Sequence, residues 1–230
     1  MDFGFLTQYH NFYLIGLKNT ILLSILAVAF GVLLGIVLSL MKLSSNRILS
    51  FISSAYIEFV KGTPLLVQLY IIYYGLPYIG VNFPDIAAFK SLVGISFSDF
   101  MAGVITMGIN SGAYVGEIFR AGIQAIDKGQ MEAARSLGMP QAMAMRFIIL
   151  PQAVRNILPA LGNEFVVVIK ESSIVSVIGI AELMYNADTV RGNSFQPFEP
   201  LLVAAVLYFM VTFPLSKLLG RIERRMRASA

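Results

Sequence analysis

From Thr20 to Met41 not one side chain is charged, and that run constrains the chain more than any other feature of its sequence. As a helix it is long enough for a bilayer core, which needs about 20 apolar residues. In hydrocarbon every backbone N–H and C=O must find its partner within the protein, and a helix does this inside one segment. Composition agrees: 57% of residues are hydrophobic and 13% charged, with a mean hydropathy of +0.76, far from the balance of a soluble domain. The sequence therefore predicts an all-α integral membrane protein, one transmembrane domain over residues 1–230.

Charge and breaker residues divide the rest. Lys42 and Arg47 close the first span and place its end in the cytoplasm, so the N-terminus faces out. A second span, 56–80, is interrupted at Gly62-Thr63-Pro64, where Pro64 frees a carbonyl that needs another donor. Glu58 and Lys61 are spaced to pair at its cytoplasmic edge. Residues 81–98 form an outer loop. A third span follows at 99–121 and a fourth at 151–169. Residues 173–185 are apolar but too short to span, which predicts a re-entrant or interfacial helix, and 186–200 are polar, with Pro197 and Pro200. The last span, 198–219, is anchored inside by Arg221, Arg224, Arg225 and Arg227. The expectation is five spans, N-terminus out and C-terminus in, with Lys42, Arg47, Arg120, Lys128, Arg135 and Arg146 all on one side. Residues 1–19 do not read as a cleaved signal peptide. Gly31 and Gly35 form a GxxxG that serves either packing within the chain or dimerisation.

Several chemistries are excluded. There is no cysteine, and the single His10 provides no metal-ligand cluster, so no metal site is expected. No GxxxxGK[ST] loop occurs, no Ser/His/Asp set or Gly-x-Ser-x-Gly elbow is present, and no carboxylates pair as acid and base. The chain is read as a non-enzyme without cofactor. Its net charge of +4 gathers at span ends, which indicates topology and no nucleic-acid partner.

Within the third span, Asn110, Ser111, Tyr114 and Glu117 share one helix face. A polar face in an apolar span looks toward a cavity or another helix, so Asn110 and Ser111 serve either a transport path or interhelical hydrogen bonding. A carboxylate such as Glu117 needs a cation, from the protein or in transit. The fourth span carries Arg155, Asn156, Asn163 and Glu164, and broken apolar segments with polar residues at the breaks point to a transport pathway.

The connector 127–151 is unlike its surroundings. Glu132 and Arg135 lie three apart and can pair along a helix flank, beside an apolar stripe of Met131, Ala134 and Leu137. Gly138 and Pro140 stop that helix, and Pro140 suits the first position of a second one. A short surface helix between spans suits docking to a partner.

Glu132-Ala133-Ala134, Gly138 and Ile149-Leu150-Pro151 resemble the signature of permease subunits of binding-protein-dependent ABC importers. FVKGTPLLVQL (59–69), GAYVGEIFRAGIQAI (112–126), KGQMEAARSLG (128–138) and NEFVVVIKESSIVSVIG (163–179) are similar to the polar amino-acid branch. The resemblance implies a type I importer permease fold, with Glu132, Ala133, Ala134, Arg135 and Gly138 in a coupling helix that docks on an ATPase. It implies two permease subunits, two cytoplasmic ATPases that bind the ATP, an external substrate-binding protein, and a bacterial cell membrane. Because this chain carries a complete set of features, the two permeases are expected to be identical copies. The alternatives are an ion-coupled carrier using Glu117 and Glu164, or a scaffold or channel subunit with no substrate site. For an amino acid, a mid-membrane site is expected from Gln68, Ser111, Tyr114, Glu117, Asn163 and Glu164, the carboxylates favouring a basic substrate (arginine, lysine or histidine) over glutamine.

Overall fold

A computed structural model describes the chain from residue 1 to residue 228, with side chains to residue 226. The elements, in order, are α1 (Leu6–Leu43), α2 (Arg47–Lys61), α3 (Leu65–Tyr78), α4 (Ala87–Val93), α5 (Phe97–Gln124), α6 (Lys128–Ser136), α7 (Gln141–Ala144), α8 (Leu150–Glu171), α9 (Leu183–Ser194) and α10 (Glu199–Ala228). A single π-helical turn, Met145–Ile149, joins α7 to α8, and a 3₁₀ segment, Ser172–Ile178, follows α8. Among the described residues all regular structure is helical. The side chain of Arg227, expected as an inner anchor, lies outside the described residues.

Helices α1 and α10 are each long and apolar enough to cross a membrane. The pair α2–α3 reaches that length only across a bend of 106°, and α4–α5 across one of 71°. The first bend is the Gly62-Thr63-Pro64 interruption, and the structure shows how its freed carbonyl is satisfied. Val60, four residues before Pro64, gives its oxygen to the Gln68 side-chain amide at 2.7 Å, and the same amide reaches Thr63 O at 3.1 Å and Thr63 Oγ1 at 2.9 Å. The cost of an unpaired carbonyl at this depth is thereby avoided.

The fold is built on a close seam between α1 and α5, which run side by side in the same direction. Gly31 lies against Ser111 and Gly112, and Gly35 against Val115 and Gly116. A Cβ on Gly35 would come within 2.5 Å of Val115 Cγ1 and 2.8 Å of Gly116 N, so only glycine permits the approach. The GxxxG thus packs within the chain. Around this seam one core joins Leu23, Ala27, Leu69, Phe100, Met107 and Val168. A second core, of Tyr13, Leu183, Ala187, Val190 and Ala204, ties α1 to α9 and α10.

Several expectations are corrected. The first helix begins at Leu6, not near Thr20, because Tyr13, Gly16 and Asn19 are buried against the segment around α9 and hold the extra turns. The outer loop 81–98 contains α4, whose Val93 is buried in the first core. Residues 173–185 are not one short helix. The 3₁₀ segment ends at Gly179, whose φ of +84° turns the chain, and a new helix starts after Glu182. The polar stretch 186–200 is mostly α9. Pro140 sits one place earlier than expected: its ψ of 148° makes it the cap, and Gln141 is the first helical residue.

Candidate functional site

The polar face of α5 meets the other spans at three levels. At the innermost of these positions in the packing, Ser111 Oγ donates to Glu164 Oε1 at 2.8 Å, linking α5 to α8. Both groups are buried, Ser111 at 1% exposure and Glu164 at 9%. No ion pair holds Glu164 among the described residues, and its single side-chain donor is that hydroxyl. Beside it, Asn110 Nδ2 donates to Gln68 Oε1 at 3.1 Å, linking α5 to α3. The amide of Gln68 is already given to Val60 and Thr63, so this side chain both closes the proline break and braces Asn110.

The third level is charged. Glu117 forms an ion pair and hydrogen bond with Lys61, and Arg120 Nη2 lies 3.8 Å from its other oxygen. Lys61 also stands over the Tyr114 ring, 5.5 Å from its centroid. The expected partnership of Lys61 with Glu58 is replaced by this one, because Ile57 and Val60 pack α2 on α5 beside Ala113 and bring Lys61 to Glu117. Glu117, considered as an acceptor for a transported cation, is accompanied by two of the protein's own cations. Asn163 does not join the group. It is exposed and lines a cavity of about 430 Å³ with Gln152, Arg155, Asn156 and Glu223, on the face of α8 turned to α10. Adjacent residues on a helix point about 100° apart, which is why Asn163 and Glu164 part company.

A buried carboxylate elsewhere escaped the sequence reading. Glu182 is fully buried and accepts from Met184 N at 2.9 Å, Tyr185 N at 2.7 Å, Tyr208 Oη at 2.7 Å and Thr20 Oγ1 at 3.4 Å. It caps α9 and clamps it to α1 and α10. The available signal was an acidic residue directly before a helix; no local pattern announced its partners in α1 and α10.

The connector is a helix, a tight turn and a second helix. Asp127 caps α6 by accepting from Gly129 N at 2.6 Å. At its other end Met139 N donates to Ala134 O and Gly138 N to Arg135 O, at 3.1 and 3.0 Å, the paired bonds of a Schellman turn, with Gly138 at φ +84°. Arg135 turns from Glu132 and donates to Met139 O at 3.2 Å, which reinforces the turn. Glu132, Ala133, Arg135 and Leu137 are exposed, Leu137 at 86%, whereas Ala134 at 5% packs inward. The surface offered to a partner therefore excludes Ala134, and the expected apolar stripe splits between an inner and an outer side.

Apolar spans, a buried polar seam between them and an exposed capped helix in a connector are the build of a membrane transport permease. Residues 31–228 match the family described as binding-protein-dependent transport system inner membrane component, and the chain belongs to that family. It is 38% identical, over 100% of its length and 99% of the relative's, to the arginine transport system permease protein ArtQ of Bacillus subtilis. It is 42% identical, over 93% of this chain and 92% of the other, to a Rickettsia bellii protein named for a glutamine transport system permease. A crystal structure of an amino acid ABC transporter with histidines superposes at a TM-score of 0.87 and 51% identity, covering 98% of this chain and 99% of that one. The MetNI methionine transporter in an inward-facing conformation shares the fold, with a TM-score of 0.69 at 15% identity. The chain is an amino-acid ABC importer permease, and these relatives give no support to an ion-coupled carrier.

Proposed function

We propose that this chain imports polar amino acids, basic ones in preference, as one of two identical permeases driven by two cytoplasmic ATPases and loaded by an external binding protein. Five spans, formed by α1, the α2–α3 pair, α5, α8 and α10, carry it across a bacterial cell membrane with the N-terminus out and the C-terminus in. The basic residues in and just before the connector, Arg120, Lys128, Arg135 and Arg146, favour this orientation. Closing of the ATPases on ATP moves the connector helices together and turns the spans from inward- to outward-facing. Glu132, Ala133, Arg135 and Gly138 supply the docked surface and its turn.

One observation carries the substrate reading. Glu164 places a carboxylate between spans with one hydroxyl donor and, among the described residues, no ion-pair partner, and such a group needs a cation. The α-ammonium of an amino acid, or a basic side chain, supplies it. Ser111 holds the carboxylate in place, Gln68 braces the wall through Asn110, and Tyr114 with Glu117 lies one to two turns further along α5 toward the connector. Asn163, on the far face of α8, contributes to the wall beside α10. The names of relatives divide between arginine and glutamine, and arginine is preferred where its side chain, rather than the α-ammonium, meets Glu164.

The test is Glu164→Gln in proteoliposomes holding the permease and its ATPase with saturating receptor. Loss of one charge-assisted hydrogen bond predicts about a tenfold or greater fall in arginine uptake, with basal ATP hydrolysis kept and a smaller fall for glutamine. Uptake of arginine at the unmodified rate would remove Glu164 from the site.

A further inference from the structure

A cavity of about 240 Å³ opens between the end of α3 and the start of α5, lined by Tyr73, Tyr74, Phe83, Ser98 and Asp99 among apolar neighbours. It lies at the end of α5 opposite the connector, about 40 Å away along that 28-residue helix. Its walls are aromatic. The Tyr73 and Tyr74 rings meet edge to face with centroids 5.0 Å apart, and Phe83 packs edge to face on Phe97 at 6.4 Å. Its one charged group is Asp99. Ser96 Oγ donates to Asp99 Oδ2 at 2.7 Å, the Asp99 N–H returns a bond to Ser96 at 3.1 Å, and the Tyr73 hydroxyl lies beside the carboxylate. Those neighbours are all neutral. No lysine or arginine lines the cavity, no ion pair holds Asp99 among the described residues, and Lys18 is turned away to Leu92 O at 2.7 Å.

Capping of α5 explains why an acidic residue stands at position 99. It does not explain the tyrosine and phenylalanine walls around it. Aromatic faces attract cations through their quadrupoles, and a carboxylate at the back of such a box adds a directed acceptor. We infer that this cavity is an outer subsite for an organic cation, receiving the guanidinium or ammonium side chain of a basic amino acid before it reaches Glu164. The subsite rests on the import reading and adds a second point of side-chain selection, built from α3 and α5, at the mouth of the path.

Agmatine, which is arginine without its carboxylate, isolates this chemistry. It is titrated by calorimetry into the detergent-solubilised permease–ATPase complex, with no receptor present. A binding phase of one agmatine per permease chain should be about tenfold or more weaker in Asp99→Asn, the effect of losing one charged acceptor, and weaker in Tyr74→Leu. Ser96 remains the cap of α5 in Asp99→Asn, whose amide oxygen can still accept from Ser96 Oγ, and equal thermal midpoints verify that both variants fold. Equal agmatine binding by Asp99→Asn and wild type, or none by wild type, overturns the subsite. Two other cation sources are separated by further arms: glycerophosphoethanolamine displacing agmatine at equal concentration, or receptor docking weakened by Asp99→Asn while agmatine does not bind, would each overturn the assignment to substrate. Because the readout is equilibrium binding, failure of ATP-driven import would leave it unaffected.

Discussion

Replacement of Gly35 by alanine tests the seam on which the fold is built. The added methyl would lie 2.5 Å from Val115 Cγ1, 2.7 Å from Val115 Cβ and 2.8 Å from Gly116 N. Two of these three atoms are backbone or attached directly to it, so no rotamer change clears the space and α1 must move off α5. Overpacking of this kind costs about 1–3 kcal/mol. Gly75 in α3 is the control: nothing lies within 4 Å of a Cβ there, and alanine in a helix gains up to about 1 kcal/mol over glycine. Unfolding by SDS titration in mixed micelles, followed by circular dichroism, should give Gly35→Ala a loss in that range and Gly75→Ala no loss. Val115→Ala in the Gly35→Ala background should recover part of the loss, because it removes the nearest of the three atoms. Should Gly35→Ala leave unfolding unchanged but dissociate the permease pair, the glycines would serve association between copies and the seam argument would fail.

On the connector, Ala133→Arg should leave the subunit folded and inserted yet lower the ATPase activity that liganded receptor stimulates, because Ala133 is exposed beside Glu132. Ala134→Arg should instead lower the thermal midpoint, since Ala134 is 5% exposed; identical behaviour of the two variants would contradict the assigned face. At the proline break, Gln68→Leu strips the donor from Val60 O and should cost about 1–3 kcal/mol in the same SDS titration. Gln68→Glu, which offers that carbonyl no amide, should do the same, and unchanged stability in both would show that the bond to Val60 contributes nothing.

Local chemistry made much of this fold legible. The uncharged run from Thr20 to Met41, Pro64, and the Gly138-Met139-Pro140 stop each act within a few residues, and the inner end of α1, the α2–α3 break and the Schellman turn stand where those signals place them. Long-range packing was not legible. Nothing near Leu6 announces that α1 continues outward against α9, and nothing near Glu182 announces Thr20 and Tyr208. The candidate site shows the same division. Asn110 and Ser111 are both buried as expected, but as neighbours on a helix they diverge, Asn110 to Gln68 of α3 and Ser111 to Glu164 of α8. Partner choice needed the fold: Lys61 is three residues from Glu58, yet the packing of α2 on α5 delivers the ammonium to Glu117. Gln68 was read as a substrate donor because it follows the break by one turn; the same spacing lets it serve the carbonyl that the break exposes.

In the proposed importer a partner ATPase drives amino-acid movement through this chain. Its most direct measurement is accumulation of labelled arginine in proteoliposomes that contain the permease and its ATPase, with liganded receptor outside and ATP enclosed. Proton and sodium gradients are collapsed by ionophores throughout. Accumulation against the arginine gradient that requires both enclosed ATP and receptor, and that ionophores leave intact, is the predicted result. Accumulation driven by an imposed ion gradient without ATP would contradict it.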